Sequence, residues 1–250
     1  MTGTEPVVAI RLDHVSKAFN GRAVLDDVSL DVAAGTAFCL LGRSGTGKSV
    51  LLRHIIGLVA PDSGHVLVEG HDVTRLSSEA LASVRKRMGF LFQNAALFDS
   101  LSVRENVAFP LRRHTDLSET DIEARVRARL TSVGLERDID KMPSELSGGM
   151  RKRVGLARTM ALDPGILLVD EPGAGLDPIT PREIDELLLD QKRAGTTLVM
   201  VTHNIPSARR VADEMALLHE GHVVVQGTAA DLDASDHPIV CAFMQSEGGG

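Results

Sequence analysis

The sequence contains no tryptophan and no tyrosine, and it has only seven phenylalanines among 250 residues. An aromatic platform on which single-stranded nucleic acid would stack is therefore not expected. Positive charge is also scarce, because 27 lysines and arginines stand beside 34 aspartates and glutamates and leave a net charge of −7. Nucleic-acid binding draws most of its affinity from basic surface. We therefore expect no nucleic-acid partner.

Cysteines are few, and long apolar runs are missing. Cys39 and Cys241 are the only two cysteines. They predict neither a disulfide framework nor a metal site, and we interpret both as small apolar residues that fill the core. The longest apolar runs, such as residues 166–169, are far shorter than the ~20 residues of a membrane-spanning helix. No secretory signal is evident. These features predict a cytoplasmic protein, and a hydrophobic content of 43% suits an ordinary globular core.

Glycine, by contrast, is concentrated in a segment whose pattern indicates phosphate binding. Residues 42–49 read Gly-Arg-Ser-Gly-Thr-Gly-Lys-Ser and match the phosphate-loop pattern at every fixed position. The glycines let the backbone curl so that its N–H groups surround phosphate oxygens, while Lys48 reaches the β- and γ-phosphates and Ser49 binds Mg²⁺. An apolar strand-like run precedes the loop, and apolar residues at helical spacing follow it. Strand, glycine loop and helix form the arrangement that binds phosphate.

A second strong signal is the segment Ile166-Leu-Leu-Val-Asp-Glu-Pro172. Its apolar residues predict a buried strand, and Asp170 and Glu171 follow at the carboxyl end. Burying two adjacent carboxylates is costly unless a cation or a proton neutralises them. In phosphate-loop ATPases the aspartate holds Mg²⁺, and a following glutamate can accept a proton from water.

Four weaker signals each have an ordinary structural explanation when taken alone. Phe19 precedes an Asn-Gly turn and either stacks on adenine or covers nearby core. Gln93 follows a short strand, and residues 147–149 read Ser-Gly-Gly at the start of a helix predicted over 151–162. His203 follows a strand predicted over 196–202. A glycine pair often only bends the chain, and a histidine is often only structural.

The order of all these segments resembles that of ATP-binding cassette (ABC) ATPases, over essentially the whole chain. By this resemblance the chain binds ATP and Mg²⁺. The nucleotide contacts it implies are Phe19, Gly42, Arg43, Ser44, Gly45, Thr46, Gly47, Lys48, Ser49, Val50, Gln93, Ser147, Gly148, Gly149, Asp170 and Asp177. The implied metal ligands are Ser49, Gln93 and Asp170, and the implied catalytic residues are Lys48, Glu171 and His203.

The expected fold is α/β: a P-loop NTPase core with a mostly parallel sheet and flanking helices, an antiparallel β subdomain and an inserted α-helical subdomain. We expect one domain over residues 1–245. The core and β subdomain take 1–93 and 162–228, the helical subdomain with the signature motif takes 94–161, and C-terminal helices take 229–245. Residues 246–250 are predicted to be a disordered tail.

A finer resemblance lies in residues 42–50, 54–58, 92–98, 146–150 and 175–180, which are similar to the ATPase of Mla/Mce-type phospholipid transporters. It implies lipid transport at the cytoplasmic face of the inner membrane. The implied partners are a second copy in an ATP-sandwich dimer, integral membrane permease subunits, an envelope MCE-type lipid-binding protein and a small regulatory subunit. The alternatives are the ATPase of a small-solute ABC importer and an ABC ATPase without a transporter.

Two residues depart from the usual ABC pattern. Met150 stands where most cassettes have glutamine, although methionine is common in the Mla/Mce-type branch. Gly173 stands where threonine or serine usually follows Asp-Glu-Pro. We expect this glycine to loosen the turn that leads to Asp177 and to slow turnover.

Overall fold

A computed structural model describes residues 7–177 and 179–248. Within these residues the chain forms ten strands and nine α-helices. The strands are β1 (Val8–Phe19), β2 (Arg22–Ala33), β3 (Ala37–Leu41), β4 (Ser63–Val68), β5 (His71–Asp72), β6 (Met88–Leu91), β7 (Ile166–Asp170), β8 (Thr197–Thr202), β9 (Glu214–His219) and β10 (His222–Gly227). The helices are α1 (Lys48–Ile55), α2 (Ser78–Arg85), α3 (Val103–His114), α4 (Glu119–Ser132), α5 (Gly148–Thr159), α6 (Thr180–Arg193), α7 (Ile205–Val211), α8 (Ala229–Asp233) and α9 (Pro238–Met244).

The larger sheet has six strands in the order β10-β9-β3-β8-β7-β6, and only β10 runs antiparallel to its neighbour. Every residue of β3, β7 and β8 is buried. Continuous burial is expected of parallel strands whose two faces are both covered, and it explains the unbroken apolar runs in the sequence. The mostly parallel core that the sequence predicts is therefore confirmed.

The smaller sheet is antiparallel, with the order β2-β1-β4-β5. Asn20 and Gly21 connect β1 to β2, and both have positive φ, 51° and 78°. This is the backbone that a two-residue hairpin requires, so the predicted Asn-Gly turn is confirmed. The antiparallel β subdomain is confirmed with it.

Helices α3, α4 and α5 pack together between β6 and β7 in the chain and share one hydrophobic cluster with the core sheet. Serine caps begin these helices, at Ser102, Ser118 and Ser147. The start predicted for α5 at residue 151 is wrong by three residues. Ser147 Oγ accepts the amide of Met150 at 3.2 Å, which draws both glycines into the first turn.

The C-terminal end of the chain forms α8, α9 and a 3-10 turn over Gln245–Gly248. The disordered tail predicted over 246–250 stays a prediction, and Gly249 and Gly250 lie outside the described residues. Cys39 is buried, Cys241 is half-buried, and both thiols are free, as the sequence predicts. Among the described helices, none is long and apolar enough to cross a membrane.

One buried amide shapes the chain just before α3. Asn106 is fully buried, and its Oδ1 accepts the amide of Phe98 at 2.9 Å. Its Nδ2 donates to the carbonyl oxygens of Phe98, Leu101 and Ser102 at 3.1, 2.9 and 3.0 Å. Because buried peptide groups need partners, this side chain holds the loop over residues 98–102 in place.

We predict that Asn106→Ala lowers the free energy of unfolding by about 3 kcal/mol, since it leaves several peptide groups of this loop without their partner. Urea unfolding followed by circular dichroism measures the change. Asn94→Ala, at an exposed residue of the preceding loop, is the control and should change the stability by less than about 0.5 kcal/mol. An equally small effect of Asn106→Ala would show that water replaces the lost hydrogen bonds.

Candidate active site

The loop over residues 42–47 connects β3 to α1 at the carboxyl edge of the core sheet. Gly47 has φ 101°, and a Cβ atom there would lie 2.8 Å from the carbonyl oxygen of Val24. Both its conformation and the close contact therefore require glycine. Thr46 Oγ1 donates to the carbonyl of Arg43 at 2.9 Å and closes the loop. The loop then leads directly into the N-terminus of α1, where the helix dipole favours an anion.

Lys48 is buried under this loop. Its Nζ donates to the carbonyl oxygens of Gly42 and Arg43 at 2.7 and 3.0 Å, and it lies 3.3 Å from Glu171 Oε1. The ammonium group thus faces the mouth of the loop and pairs with the carboxylate across it. A phosphate group that enters the loop over residues 42–47 would contact Lys48 directly.

Asp170 ends β7, and Ser49 is the second residue of α1, the helix that follows β3. Ser49 Oγ donates to Asp170 Oδ1 at 2.8 Å. These residues are 121 positions apart in sequence, but β3 and β7 flank β8 and run parallel to it, so their carboxyl ends meet at one edge. Burial raises the pKa of Asp170, and the hydrogen bond from Ser49 opposes that rise only in part.

Glu171 follows with φ 44°, in the left-handed region that a glutamate rarely adopts. Its amide donates to the carbonyl of Val201 at 2.9 Å. Its buried carboxylate accepts Thr202 Oγ1 at 3.0 Å and lies 3.1 Å from His203 Nδ1. These contacts fix the carboxylate beside Lys48, where it can accept a proton from a water molecule.

These groups surround one cavity of about 420 Å³. It is lined by Val24, Ser44, Gly45, Gly47, Lys48, Ser49, Val50, Gln93, Glu171 and His203. All of them except Val24 are among the residues singled out from the sequence. Asp170 lies directly behind Ser49, and Gly42, Arg43 and Thr46 complete the same loop.

Five other predicted contacts do not line this cavity in their own chain. Phe19 lies at the end of β1 with its side chain 43% exposed, and Lys17 Nζ lies 5.5 Å from the centre of its ring. Ser147, Gly148 and Gly149 begin α5, and a Cβ atom on Gly149 would lie 2.5 Å from Thr180 Cγ2. The Asp177 carboxylate accepts Thr180 Oγ1 at 2.6 Å and the Ile179 amide at 2.9 Å, so it stabilises the turn that leads into α6.

The turn after Glu171 is closed, although a loose turn is expected from Gly173. The Ala174 amide donates to the Glu171 carbonyl at 3.1 Å, and the Leu176 amide donates to the Gly173 carbonyl at 3.3 Å. A Cβ atom on Gly173 would lie 3.1 Å from Pro181 Cβ, so the start of α6 packs tightly here. The loosening of this turn by Gly173 and the slower turnover both stay predictions.

Two contacts of Glu171 were missed by the sequence analysis. Thr202 stands directly before His203 at the end of β8, so the same strand-end reasoning would have found it. Lys152 sits in α5 and donates from Nζ to the Glu171 carbonyl at 3.0 Å, and burial lowers its pKa. No local pattern separates Lys152 from the arginines on either side of it.

A glycine loop between a buried parallel strand and a helix, with a lysine and two carboxylates at the same sheet edge, defines a P-loop nucleoside triphosphatase. The profile of the ABC transporter family matches residues 25–174, and the chain belongs to this family. This membership confirms the predicted fold class and the predicted enzyme: the chain binds ATP and hydrolyses it.

Three known proteins illustrate the similarity. The "Probable ribonucleotide transport ATP-binding protein mkl" of Mycobacterium leprae is 44% identical over 238 residues, which cover 95% of this chain and 69% of that protein. The "Intermembrane phospholipid transport system ATP-binding protein MlaF" of Escherichia coli (strain K12) is 40% identical over 236 residues, 94% of this chain and 88% of that protein. A solved dimeric structure of the ATP-binding cassette MJ0796, bound to ADP and Pi after hydrolysis, has a TM-score of 0.82 and 32% identity, and it covers 88% of this chain and 98% of that chain.

We predict that Asp170→Asn raises the Tm of the nucleotide-free protein by about 2 °C at pH 7.5. Burial raises the folded-state pKa of Asp170, so its ionisation opposes folding above the ordinary aspartate pKa of about 3.9. The amide has the same shape and no charge. The difference from wild type should shrink as the pH falls toward 4 and Asp170 takes up its proton.

Differential scanning fluorimetry across this pH range measures the effect, and Asp99→Asn at an exposed residue is the matched control. A lower Tm for Asp170→Asn would mean that the hydrogen bond from Ser49 and the attraction of Lys48 stabilise the ionised Asp170 by more than its burial destabilises it.

Proposed function

We propose that this chain is the ATP-hydrolysing subunit of an ABC transporter that moves phospholipids. It would act at the cytoplasmic face of the inner membrane, through an integral membrane permease. The observation that carries this proposal is the 40% identity to the E. coli phospholipid transport ATP-binding protein, which extends over 94% of this chain and 88% of that protein. Similarity along nearly all of both chains supports a shared arrangement of partners as well as a shared ATP site.

A small-solute importer is the second candidate, because the mycobacterial relative is named for ribonucleotide transport and is 44% identical. The aligned region is only 69% of that protein. The relative therefore has a large part that this chain does not match, and the more complete alignment favours phospholipid.

At the proposed site Lys48 binds the β- and γ-phosphates, and His203 contacts the γ-phosphate. Glu171 accepts a proton from the attacking water. The 3.3 Å separation of Lys48 Nζ and Glu171 Oε1 supports this assignment, because both groups then face the same phosphate. The buried surroundings of Glu171 exclude bulk water and strengthen each electrostatic contact.

Ser49, Asp170 and Gln93 would hold Mg²⁺. A hydroxyl, a carboxylate and an amide oxygen are hard oxygen donors of the kind that Mg²⁺ prefers, and the first two already lie 2.8 Å apart. When bound, the ion neutralises phosphate charge. The chain itself contributes the orientation of the donors, because the ends of β3 and β7 are fixed by the sheet.

A second copy of the chain would complete each site. Ser147, Gly148 and Gly149 lie at the N-terminus of α5, outside the cavity of their own chain, and Ser147 with the two glycines suits a phosphate contact. Ile179, two residues after Asp177, is apolar yet 71% exposed, as an interface residue would be. In a head-to-tail dimer these segments would meet the partner's ATP. ATP then favours the closed dimer, because it makes these contacts in that state alone.

The permease would bind a groove between α2, β6, α3 and α5. Phe98 and Phe109 are exposed on it, with ring centres 4.8 Å apart. Its rim is basic, with Arg85, Lys86 and Arg158 among the lining residues. An apolar floor with a basic rim suits a short amphipathic helix that carries acidic residues. An MCE-type envelope protein and a small regulatory subunit are further proposed partners, by the likeness to phospholipid transport ATPases.

We predict that Glu171→Gln binds ATP, hydrolyses it about 10²- to 10⁴-fold more slowly and accumulates as a dimer with ATP. Adding Ser147→Arg should raise the dissociation constant of that dimer by at least about tenfold, or ~1.4 kcal/mol. The long arginine side chain would fill the space that the phosphates of the partner's ATP would occupy. Binding of a fluorescent ATP analogue to the monomer should stay unchanged.

Size-exclusion chromatography with light scattering measures the dimer. Ser132→Arg, an exposed serine in the same helical subdomain, controls for the added charge. Loss of nucleotide binding by the Ser147→Arg monomer would place this serine in its own chain's site and contradict the cross-subunit assignment.

We predict that the tagged chain, purified from membranes, carries permease subunits and bound phospholipid. Phe109→Asp should abolish this co-purification while purified ATPase activity stays near wild type, because the substitution puts a charge on the groove floor. Leu58→Asp, at an exposed apolar residue in the loop after α1, is the control. Recovery of a permease that carries no phospholipid and that transports a ribonucleotide would support the small-solute candidate instead.

A further inference from the structure

Lys152 is a buried lysine that the catalytic assignment does not use. Its side chain lies in α5, the helix that begins with Ser147, and it is 5% exposed. Its Nζ donates to the backbone carbonyl of Glu171 at 3.0 Å. Taking an ammonium group out of water is costly, and a surface lysine would avoid that cost. The hydrogen bond to the Glu171 carbonyl partly offsets the cost of burying this ammonium group.

The backbone of Glu171 needs support from outside. A left-handed conformation costs a non-glycine residue free energy and persists only where neighbouring groups hold it. Here the Glu171 amide is held by Val201, and its carbonyl accepts both Lys152 Nζ and the Ala174 amide, at 3.0 and 3.1 Å. Loss of the Lys152 contact would let this peptide rotate, and the carboxylate would move with it.

This inference rests on the proposed function. We propose that Lys152 is a positioning residue that connects Glu171 to the signature segment, residues 147–149, of the same chain. Ser147, Gly148 and Gly149 form the first turn of α5, and Lys152 follows one turn later on the same rigid helix. In the proposed dimer that first turn contacts the ATP of the opposite site. Contact of α5 with one nucleotide would thus position, through Lys152, the Glu171 carboxylate that acts on the other nucleotide.

The first test compares Lys152→Met, which keeps the length and removes the donor, with Lys152→Gln, which keeps a donor and removes the charge. We expect Lys152→Met to lower kcat by about 10- to 100-fold, the cost of a misplaced catalytic group, with little change in KM and a Hill coefficient for ATP near one. Lys152→Gln should recover most of the rate. Lys141→Met, at an exposed lysine of the same subdomain, should behave as wild type.

Two readouts separate this role from a general loss of structure. Hydrogen–deuterium exchange over residues 171–176 should rise in folded Lys152→Met, while its Tm stays close to wild type. A kcat within twofold of wild type for Lys152→Met would overturn the proposal. Equal slowing in the Met and Gln variants would overturn it as well, because charge and not the hydrogen bond would then matter.

Mixed dimers locate the effect. One copy carries Glu171→Gln, so that only the site of the other copy hydrolyses ATP, and Lys152→Met is placed on either copy. Lys152→Met on the copy that keeps Glu171 should slow ATP hydrolysis as strongly as it does in the homodimer. Lys152→Met on the copy that carries Glu171→Gln should leave the hydrolysis rate within about twofold of the rate without it. The reverse pattern would assign Lys152 to the signature segment alone and refute the positioning role. Absence of ATPase activity in the wild-type dimer would instead refute the proposed function.

Discussion

The structure depends on the burial of opposite charges at one edge of the core sheet. Lys48, Asp170 and Glu171 are all buried there, and an isolated charge in such a place would be strongly destabilising. The lysine lies 3.3 Å from Glu171, while Ser49 and Thr202 donate to the two carboxylates. This mutual compensation stabilises the charged cluster, so the groups proposed to act on ATP need little rearrangement.

Helix α5 connects this edge to the rest of the helical subdomain. Lys152 contacts the Glu171 carbonyl, and Arg158, at the other end of the helix, donates to the carbonyl oxygens of Ala95 and Ala96 at 2.7 and 2.8 Å. A Cβ atom on Gly155 would lie 2.9 Å from Ala95 Cβ, so the helix also packs closely on the loop after Gln93. The proposed permease groove and residues 147–149 therefore both include part of α5, and Glu171, the proposed catalytic residue, contacts the same helix through Lys152.

Local patterns predicted most of the fold, because alternation, helical spacing and turn residues are written in neighbouring positions. The buried strands before Gly42 and at residues 166–170 stood out as apolar runs, and the Asn-Gly turn followed from its dihedral requirements. The start of α5 was misplaced because a glycine pair reads as a bend, whereas the Ser147 cap draws the pair into the helix. Taken alone, Phe19, Gln93 and His203 have ordinary structural explanations. Their predicted roles in the ATP site depend on the order of the segments along the chain.

The sequence by itself determined the phosphate loop, the paired carboxylates and the class of enzyme, since their chemistry depends on residue types at fixed spacing. Only the tertiary structure decided what surrounds Glu171. Lys152 and Thr202 reach it from 19 and 31 residues away, through the packing of α5 and the pairing of β7 with β8. Likewise, Ser147 and Asp177 lie outside their own chain's cavity, because Ser147 caps α5 and Asp177 stabilises the turn into α6, and packing sets the positions of both helices. Such contacts follow from how elements meet in space, which local spacing does not encode.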